Sequence, residues 1–480
     1  MAERMLKFVT TPRVTPAKRP AEARAGDFHE IYAEFIGAKA SEQASRCSQC
    51  GVPFCQTHCP LHNNIPDWLR MTAEGRLQEA YELSQATSSM PEICGRICPQ
   101  DRLCEGNCVI EQSGFGTVTI GSVEKYINDK AWEEGWVRPL VPGPPRGQSV
   151  GIVGAGPAGL SAAEVLREKG YEVTVYDRHD RPGGLLIYGI PSFKLEKDVV
   201  ARRTERLAAG GIEFKLGFEV GRDATLAELR ARHDSVLVAA GVYKARDLEV
   251  PGVGAVGVTP ALDYLVASNR EGLGHMVPEF VSGRLNAAGK HVVVVGGGDT
   301  AMDCVRTAVR QGANSVTCLY RRDRANMPGS AREVAHAEEE GVVFEWLALP
   351  RAIRDEKLEA AGVRAARMRL GAPDRSGRQA PEEIPGADFD LPAQMVIKAL
   401  GFDPEDLPTS FAAPELGVTR WGTLKTDFRT LETTIPGVFA AGDVVRGASL
   451  VVWAIRDGRD AAQAIHDYLS VRQGALIAAE

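Results

Sequence analysis

The chain has 480 residues, of which 44% are hydrophobic and 25% are charged, proportions typical of a globular protein of about three domains. The formal net charge of −7 argues against nucleic acid as a partner. Because no apolar run approaches the roughly 20 residues that a membrane-spanning helix needs, we also expect no membrane partner.

Residues 1–26 form a basic segment interrupted by Pro12, Pro16 and Pro20. These prolines would break an amphipathic helix, and serine is absent, so the segment does not match an organelle presequence. We expect an extended arm on a surface of this protein or of a partner, and a cytoplasmic location. The pattern that follows, Asp27–Ala44, predicts a helix.

Eight of the ten cysteines lie in two runs within the first quarter of the chain. The pattern of residues 45–125 predicts short helices connected by loops that contain the cysteines. The eight residues are Cys47, Cys50, Cys55 and Cys59, then Cys94, Cys98, Cys104 and Cys108. Two sets of four suit two [4Fe–4S] clusters, and cysteine followed by proline, which occurs in both runs, is typical of cluster loops. A zinc site usually shows two CxxC pairs, whereas this region has one, and disulfides would require an oxidising compartment. Iron–sulfur clusters are therefore the favoured interpretation, with zinc and disulfides as the alternatives.

After a proline-rich linker the pattern becomes α/β. The glycine motif Gly154–Gly159 follows a predicted strand, Ser149–Val153, and opens a predicted helix, Pro157–Lys169. Glycines at these positions allow a tight turn and a close approach of the backbone to a pyrophosphate at the helix N-terminus. Asp177 lies 23 residues after Gly154, where an acid can accept from a ribose hydroxyl. The motif predicts a dinucleotide site, with a turn that binds no ligand as the alternative.

A second unit repeats this pattern. Gly296–Ala301 lies between a predicted strand, His291–Val295, and a predicted helix, Thr300–Gln311. The position equivalent to Asp177 is Leu319, and Tyr320-Arg321-Arg322 follows. Loss of the acid and gain of arginines is the pattern for NADP, because a guanidinium binds a 2′-phosphate that a carboxylate would repel. Solvated surface arginines are the alternative.

The C-terminal region indicates which dinucleotide each unit binds. Ile435–Asp443 resembles the third flavin motif of flavoproteins with two dinucleotide domains, and Ala239–Gly241 resembles the strand end before the crossing into their nicotinamide domain. These motifs make the Gly154 unit the expected FAD site and the Gly296 unit the expected NADPH site. Residues 371–392 predict a loop or hairpin without assignable chemistry.

Together these motifs resemble one family, the small (β) subunits of NADPH-dependent glutamate synthase. The segments that carry the resemblance are Asp27–Tyr32, Arg46–Pro60, Asn64–Pro66, Gly183–Leu186, Gly189–Pro191, Gly296–Ala301 and Phe439–Asp443. Similar domains occur in the N-terminal part of dihydropyrimidine dehydrogenase and in the large subunit of NADH-dependent ferredoxin:NADP oxidoreductase, and the flavin half is similar to adrenodoxin reductase.

The resemblance implies an α/β fold in which a helical iron–sulfur domain precedes two Rossmann-like domains, the FAD domain being discontinuous. The expected boundaries are 1–145 for the arm and cluster domain, 146–255 and 399–480 for the FAD domain, and 256–398 for the NADPH domain. It also implies that Cys47, Cys50, Cys55 and Cys108 hold one cluster, and that Cys59, Cys94, Cys98 and Cys104 hold the other.

The same resemblance implies the nucleotide contacts. The residues expected at FAD are Val153, Gly154, Ala155, Gly156, Pro157, Gly159, Asp177, Gly184, Leu185, Lys194, Val220, Gly442 and Asp443. Those expected at NADPH are Gly296, Gly297, Gly298, Asp299, Thr300, Arg321 and Arg322, with Ala399, Leu400 and Gly401 near the junction of flavin and nicotinamide.

The implied activity is oxidation of NADPH by FAD, followed by one-electron transfer through the clusters. The implied acceptor is a large subunit that carries FMN and a [3Fe–4S] cluster and makes glutamate from glutamine and 2-oxoglutarate. Hydride transfer between stacked rings needs positioning rather than an acid or base, so we expect no catalytic side chain. The alternatives are a ferredoxin:NADP oxidoreductase, a transhydrogenase-type electron-transfer subunit, or a zinc-stabilised scaffold.

Overall fold

A computed structural model describes residues 4–374 and 379–479, with side chains as far as Arg472. The N-terminal region is helical. After a 3-10 turn at Lys7–Val9, its helices are α1 (Ala21–Ala25), α2 (Gly37–Ala44), α3 (Phe54–Thr57), α4 (Ile65–Ala73), α5 (Leu77–Thr87), α6 (Pro91–Ile97), α7 (Val109–Gln112) and α8 (Ile120–Glu133). Helix α4 packs against α2, α5 and α8, and α6 packs against α8. Pro66 lies in the first turn of α4, where the backbone N–H that proline lacks would have no partner within the helix. Trp68 on the buried face of α4 is fully enclosed.

The helix predicted for Asp27–Ala44 is wrong in its first half, because only Gly37–Ala44 is helical. The preceding residues are extended and pair with the arm: Arg19 donates its backbone N–H to Ile31 at 3.0 Å, and Ala33 donates to Ala17 at 2.9 Å. Burial of Ile31 and this long-range pairing outweigh local helix propensity.

The rest of the chain contains two parallel sheets. The first half comprises β1 (Ser149–Val153), α9 (Pro157–Glu168), β2 (Glu172–Asp177), α10 (Leu185–Tyr188), α11 (Lys197–Ala209), β3 (Glu213–Leu216), α12 (Leu226–Arg232), β4 (Ser235–Val238) and β5 (Lys244–Ala245). The second half begins with β6 (Val258–Pro260), α13 (Ala261–Gly272), α14 (Pro278–Val281), β7 (His291–Val295), α15 (Asp299–Arg310), β8 (Ser315–Tyr320), α16 (Ala331–Glu339) and β9 (Val343–Trp346). The remaining elements are β10 (Ala348–Glu356), β11 (Glu359–Pro373), β12 (Gln379–Pro392), β13 (Met395–Lys398), β14 (Phe402–Asp403), α17 (Leu407–Ser410), β15 (Val438–Ala440), α18 (Asp443–Arg446) and α19 (Val451–Ala479).

Sheet A has the strand order β15-β4-β1-β2-β3, and sheet B has the order β6-β13-β7-β8-β9. All neighbours in both sheets are parallel. The central strands β1 and β7 are apolar and almost fully buried, as expected for parallel strands covered by helices on both faces. The edge strand β15 of sheet A comes after all strands of sheet B in the sequence. The first dinucleotide unit is therefore built from two separate segments of the chain, as predicted.

Residues 371–392 fall largely in an antiparallel hairpin between β11 and β12, which joins β10 in a three-stranded sheet. Residues 375–378 of this predicted hairpin lie outside the described residues. Within the residues that the structure covers, no helix combines the length and apolar character that crossing a membrane requires. The exact domain boundaries stay predictions.

Candidate redox-cofactor sites

The first glycine loop closes over the carboxyl ends of the strands of sheet A. Gly154 has φ of 112°, and a Cβ there would lie 2.3 Å from the Ala239 carbonyl oxygen. Gly156 is the N-cap of α9, and Pro157 occupies its first turn. A side chain at Gly154 would push the loop away from β4, so glycine is required for the backbone to approach a ligand this closely.

Asp177 braces this loop. Its carboxylate accepts from the backbone N–H of Ala155 at 2.7 Å and from that of His179 at 2.8 Å. A cavity of about 370 Å³ opens beside it. Four predicted FAD residues line this cavity, namely Val153, Gly154, Asp177 and Val220. The structure thus brings the strand ends and the acid predicted for the ribose to one space.

Two further glycine segments pack against the same loop. Gly184 is the N-cap of α10, and a Cβ there would lie 2.9 Å from the Cα of Gly156. Gly442 is the N-cap of α18 and lies next to Ala158, whose Cβ would be 3.0 Å from a Cβ at Gly442. Burial raises the pKa of Asp443, the first residue of α18, to about 6. Gly159 lies in the first turns of α9 and Leu185 in the first turn of α10, so these predicted FAD residues surround one glycine-lined cradle that fits a dinucleotide.

Lys194 is placed differently from the other residues predicted for FAD. Its ammonium lies 2.8 Å from Asp303 of α15 and 3.8 Å from Glu333 of α16. These carboxylates outweigh burial and raise the lysine pKa. The side chain borders a cavity of about 710 Å³ between the arm, α8 and the second unit, rather than the cavity at Asp177. Lys194 therefore links the two dinucleotide units in this structure, and its contact with FAD stays a prediction.

The second glycine loop repeats the geometry at the carboxyl ends of sheet B. Gly296 has φ of 143°, and a Cβ there would lie 2.1 Å from the Ala399 carbonyl oxygen. Gly298 caps α15, whose first residues are Asp299 and Thr300. Asp299 accepts from the backbone N–H of Ser330 at 2.8 Å, and Gly297 accepts from that of Gly329 at 2.8 Å. The segment at Gly329 and Ser330, which the sequence did not single out, holds this loop in place.

Arg321 and Arg322 follow directly after β8, whose Leu319 pairs with Val295 of β7. Across residues 4–374 and 379–479, neither guanidinium has a carboxylate partner, and the Nε of Arg322 is buried without a hydrogen bond. The nearby Arg324, by contrast, pairs with Glu338 at 2.6 Å. The two arginines therefore offer unpaired donors at the edge of the second glycine loop, an arrangement suited to a phosphate.

The segment predicted for the flavin–nicotinamide junction begins where β13 ends. Ala399 donates its N–H to Val295 at 2.8 Å, which places it against the second glycine loop. Gly401 accepts from the Arg246 N–H at 3.0 Å beside the β14–β5 pair. Leu400 packs on the buried cluster beneath sheet B. These residues lie beside the β14–β5 pair, where the two chain segments that connect the units run next to each other.

The eight cysteines divide into two groups in space, which we call the outer and inner sets. The outer set, Cys47, Cys50, Cys55 and Cys108, lines one cavity. The inner set comprises Cys59, Cys94, Cys98 and Cys104. Within it, the thiol of Cys98 interacts with those of Cys94 and Cys59, and the thiol of Cys104 interacts with that of Cys59. Cys104 interacts with Cys55 as well, so the two sets adjoin.

The thiols are suited to a bound cationic centre. Burial raises the pKa of Cys47 and Cys59 to about 11 and that of Cys55 to about 12. Thiolates in this environment require a positive partner, which the iron of a cluster supplies. Gln49 directs its backbone N–H (3.4 Å) and side-chain amide (3.3 Å) at the Cys47 sulfur, the type of hydrogen bond that tunes cluster potentials. Within the described ranges, no group of three or more His, Cys, Asp or Glu side chains is placed to hold a metal ion directly.

Two charged residues near the cysteines were missed by sequence reasoning. Glu124 on α8 lies on the same buried face as Val123 and Ile127 and accepts from Asn63 at 3.1 Å. Burial raises the pKa of its carboxyl to about 8. Arg46 is fully buried and donates to backbone carbonyls, including Thr11 at 2.9 Å. The position of Glu124 among the apolar residues of a helix could have indicated that it is buried. No local pattern in the sequence indicated that Arg46 is buried.

Comparison with known proteins agrees with this division. Residues 24–136 match the family model for dihydropyrimidine dehydrogenase domain II, 4Fe-4S cluster, and residues 148–458 match that for pyridine nucleotide-disulphide oxidoreductase. The chain is 66% identical to the glutamate synthase (NADPH) small chain of Azospirillum brasilense over 476 residues, covering 99% of this chain and 98% of that protein. It is 47% identical to the same-named chain of Escherichia coli (strain K12) over 479 residues, covering 98% of this chain and 100% of that one.

Among solved structures, Mycobacterium tuberculosis FprA in complex with NADPH has the same fold over 69% of this chain and 86% of its own, with a TM-score of 0.57 and 20% identity. The fold class, a helical 4Fe-4S domain before Rossmann-type domains, is confirmed, as is the assignment to the oxidoreductases. The family resemblance stated from the motifs is likewise confirmed. The chain belongs to the family of glutamate synthase (NADPH) small chains.

Proposed function

We propose that the chain is the electron-input subunit of a cytoplasmic glutamate synthase. It oxidises NADPH, using FAD as the hydride acceptor, and passes electrons one at a time to a large subunit that carries FMN and a [3Fe–4S] cluster. That large subunit makes glutamate from glutamine and 2-oxoglutarate. The observation that carries the proposal is the presence of two glycine-lined dinucleotide cradles and two four-cysteine sets in one chain.

The second unit binds NADPH in this proposal. The loop at Gly296 and the N-terminus of α15 receive the pyrophosphate, because the missing Cβ lets the backbone approach and the helix end offers free N–H groups. Arg321 and Arg322 receive the 2′-phosphate. Their unpaired guanidinium groups make this contact favourable, since no internal ion pair has to be broken first.

The first unit binds FAD between the loop at Gly154, the segment at Gly184 and the turn at Gly442. When bound, FAD supplies the chemistry that converts a two-electron hydride into single electrons. The protein holds and orients the nicotinamide and flavin rings. The buried ion pair between Lys194 and Asp303 supports this, because it ties the two units to each other.

The cysteines hold two [4Fe–4S] clusters, one on the outer set and one on the inner set. The grouping of Cys108 with Cys47, Cys50 and Cys55 around one cavity supports the first assignment. The mutual interactions of Cys59, Cys94, Cys98 and Cys104 support the second. A relay of one-electron centres beside a flavin domain is what delivery to a separate acceptor requires.

The test uses the purified, cofactor-loaded chain. We expect iron and flavin in a ratio of eight to one, following from the two four-iron clusters and one FAD proposed. NADPH should support ferricyanide reduction, and glutamine with 2-oxoglutarate should not change that rate. Glutamate should form only after the large subunit is added. Glutamate formed by the chain alone would contradict the proposal, and rapid NADPH-dependent reduction of ferredoxin without any response to the large subunit would favour a ferredoxin:NADP oxidoreductase.

A further inference from the structure

The loop that follows Cys98 of the inner set reaches across to the second dinucleotide unit. We call residues 99–103 the inner cysteine loop and residues 328–332 the bracing segment. The Arg102 guanidinium donates to the Pro328 carbonyl, a partner 226 residues away in the sequence. The two segments therefore meet through the tertiary fold and not through a local motif.

Two further side chains of the bracing segment contact this loop. Arg332 donates to the side-chain oxygen of Gln100 at 2.8 Å. Ser330 is the N-cap residue of α16, a position from which serine usually accepts a helix N–H. In the described part of the chain its hydroxyl makes no such bond and instead donates to Asp101 at 3.3 Å. Both side chains are thus directed at the inner cysteine loop.

Gln100 connects this contact to the helix that carries Cys94. Its side chain is buried, and its amide nitrogen donates to the carbonyls of Gly95 at 3.1 Å and Cys94 at 3.4 Å. A Cβ at Gly121 would lie 2.3 Å from that nitrogen, so the amide fills the space that the glycine leaves. One enclosed amide group therefore joins Arg332 to the backbone of the inner set.

The opposite side of the bracing segment holds the second glycine loop. Gly329 donates its N–H to the Gly297 carbonyl at 2.8 Å, and Ser330 donates its N–H to the Asp299 carboxylate at 2.8 Å. A Cβ at Gly329 would lie 3.0 Å from the Gly297 carbonyl oxygen, so the contact is close. Ser330 thus touches the glycine loop with its backbone and the inner cysteine loop with its hydroxyl.

We propose that the bracing segment couples dinucleotide binding at the second glycine loop to the redox state of the inner set, with Gln100, Ser330 and Arg332 as positioning residues. This inference rests on the proposed function and deepens it by naming a regulation of that site. Reduction adds negative charge on one side of the segment, and the dinucleotide phosphates add negative charge on the other. Because interior charges are weakly screened, each addition disfavours the other.

The expected consequence is reciprocal. An occupied glycine loop lowers the reduction potential of the inner centre, and a reduced inner centre weakens dinucleotide binding by the same factor. The chain would then release its oxidised nucleotide more readily once an electron has reached the inner set. Dissociation of the product would follow electron transfer rather than precede it.

The first experiment is a redox titration of the cofactor-loaded wild-type chain, followed by electron paramagnetic resonance. It is run with and without saturating 1,4,5,6-tetrahydro-NADP, a redox-inactive analogue that keeps the phosphates. The inner centre is the signal that Cys94→Ala removes or converts. We expect its potential to fall by about 30 mV or more, which corresponds to about threefold weaker binding of the analogue to the reduced form. An unchanged inner potential with the analogue bound would overturn the inference.

The second experiment removes the side-chain donors of the bracing segment. Ser330→Ala combined with Arg332→Leu leaves the backbone N–H of Ser330 available to the glycine loop. We expect the analogue-induced shift to fall to less than about half of the wild-type shift. The matched control is Ser282→Ala with Arg284→Leu, which has the same residue types and spacing but contacts Glu279 within the second unit. The control should keep the full shift, and a full shift in the first double variant would overturn the role of the segment.

A third measurement needs no variant. Hydrogen–deuterium exchange of the oxidised wild-type chain is compared with and without NADP⁺, and we expect slower exchange in residues 99–103 as well as in the second glycine loop. Protection confined to the second unit would overturn the inference while leaving the proposed function intact. Failure of the chain to bind the analogue or NADP⁺ would instead count against the proposed function, and the inference would fall with it.

Discussion

Arg203 and Glu92 form a buried two-point ion pair between the flavin-type domain and the helical domain. The Nε–Oε1 and Nη2–Oε2 distances are both 2.8 Å, and the side chains are 1% and 0% exposed. Arg203 lies on α11 and Glu92 on α6, the helix that also carries Cys94. The pair therefore fixes the helix of Cys94 against the domain that contains the first glycine loop.

Replacing one member should be much worse than replacing both. Glu92→Gln removes the carboxylate that is hydrogen-bonded to the buried Arg203 guanidinium, so we expect a loss of about 3–5 kcal/mol in the free energy of unfolding. The double variant Glu92→Leu with Arg203→Met removes both charges and should recover a large part of this loss. Chemical denaturation of the cofactor-loaded protein measures both values. A double variant as unstable as the single one would show that packing, rather than charge, sets the cost.

The arm is fastened to the second unit through Arg24. This side chain, 2% exposed, reaches Glu339 at 2.8 Å and Glu340 at 3.1 Å. We expect Arg24→Met to lower the free energy of unfolding by about 1–3 kcal/mol, the range for loss of a charged hydrogen-bonding partner. The control is Arg19→Met, whose pairing with Asp27 stays within the N-terminal segment and should cost about 1 kcal/mol or less. Equal costs would contradict a special role for Arg24.

Removal of residues 1–26 separates electron input from docking. The arm contains no residue of the dinucleotide cradles and none of the cysteines. We expect ferricyanide reduction near the wild-type rate and weaker binding of the large subunit. A truncated chain that lost dye reduction yet still bound the large subunit would contradict this role of the arm.

Acid should destabilise the protein partly through Glu340. Burial opposes ionisation, but hydrogen bonds and charge from Arg310 and Arg306 prevail and lower the carboxyl pKa to about 2. A depressed acid pKa stabilises the fold above the unfolded-state pKa of about 4.3, and this contribution, on the order of 3 kcal/mol, disappears as the pH falls towards 2. Unfolding free energies measured between pH 6 and pH 2 should show this loss. Glu340→Gln should weaken that pH dependence, although the variant is less stable at neutral pH.

Arg321 and Arg322 should select NADPH over NADH. Changing both to Ala should cost about 2–4 kcal/mol of NADPH binding, because two charge-assisted contacts to the 2′-phosphate are lost. NADH binding should hardly change. Arg324→Ala is the matched control, since that arginine already pairs with Glu338. Isothermal titration with both nucleotides measures the difference, and equal losses for the two would refute a role in phosphate recognition.

Cys108 should belong to the same centre as Cys55. Both thiols line the outer cavity, so Cys108→Ala and Cys55→Ala should remove or convert the same electron paramagnetic resonance signal. Cys94→Ala should affect the other signal. If Cys108→Ala matched Cys94→Ala instead, the assignment of ligands to the two sets would be wrong. Some loss of stability is expected in each variant, because cluster binding contributes to folding of a small helical domain.

The sequence alone determined the features that depend on local stereochemistry. Gly154 and Gly296 were recognisable because a backbone with positive φ, pressed against a neighbouring carbonyl, excludes any side chain. The order of strand, glycine turn and helix then predicted two dinucleotide-binding units of α/β type. The spacing of the cysteines, and their combination with proline, likewise indicated a cluster domain, because cluster ligation constrains the local chain around each thiolate.

The tertiary structure decided everything that joins distant parts of the chain. Local propensity favoured a helix at Asp27–Ile36, but strand-like pairing with the arm prevailed. The family resemblance implied that Lys194 contacts FAD, whereas in the structure its ammonium pairs with Asp303 of the other unit. The loop at Phe115 is held by a hydrogen bond from Arg46 to the Phe115 carbonyl, and no local pattern revealed that Arg46 is buried. Such contacts depend on which surfaces are brought together by burial of the cores, and this information is spread over the whole chain rather than held in any motif.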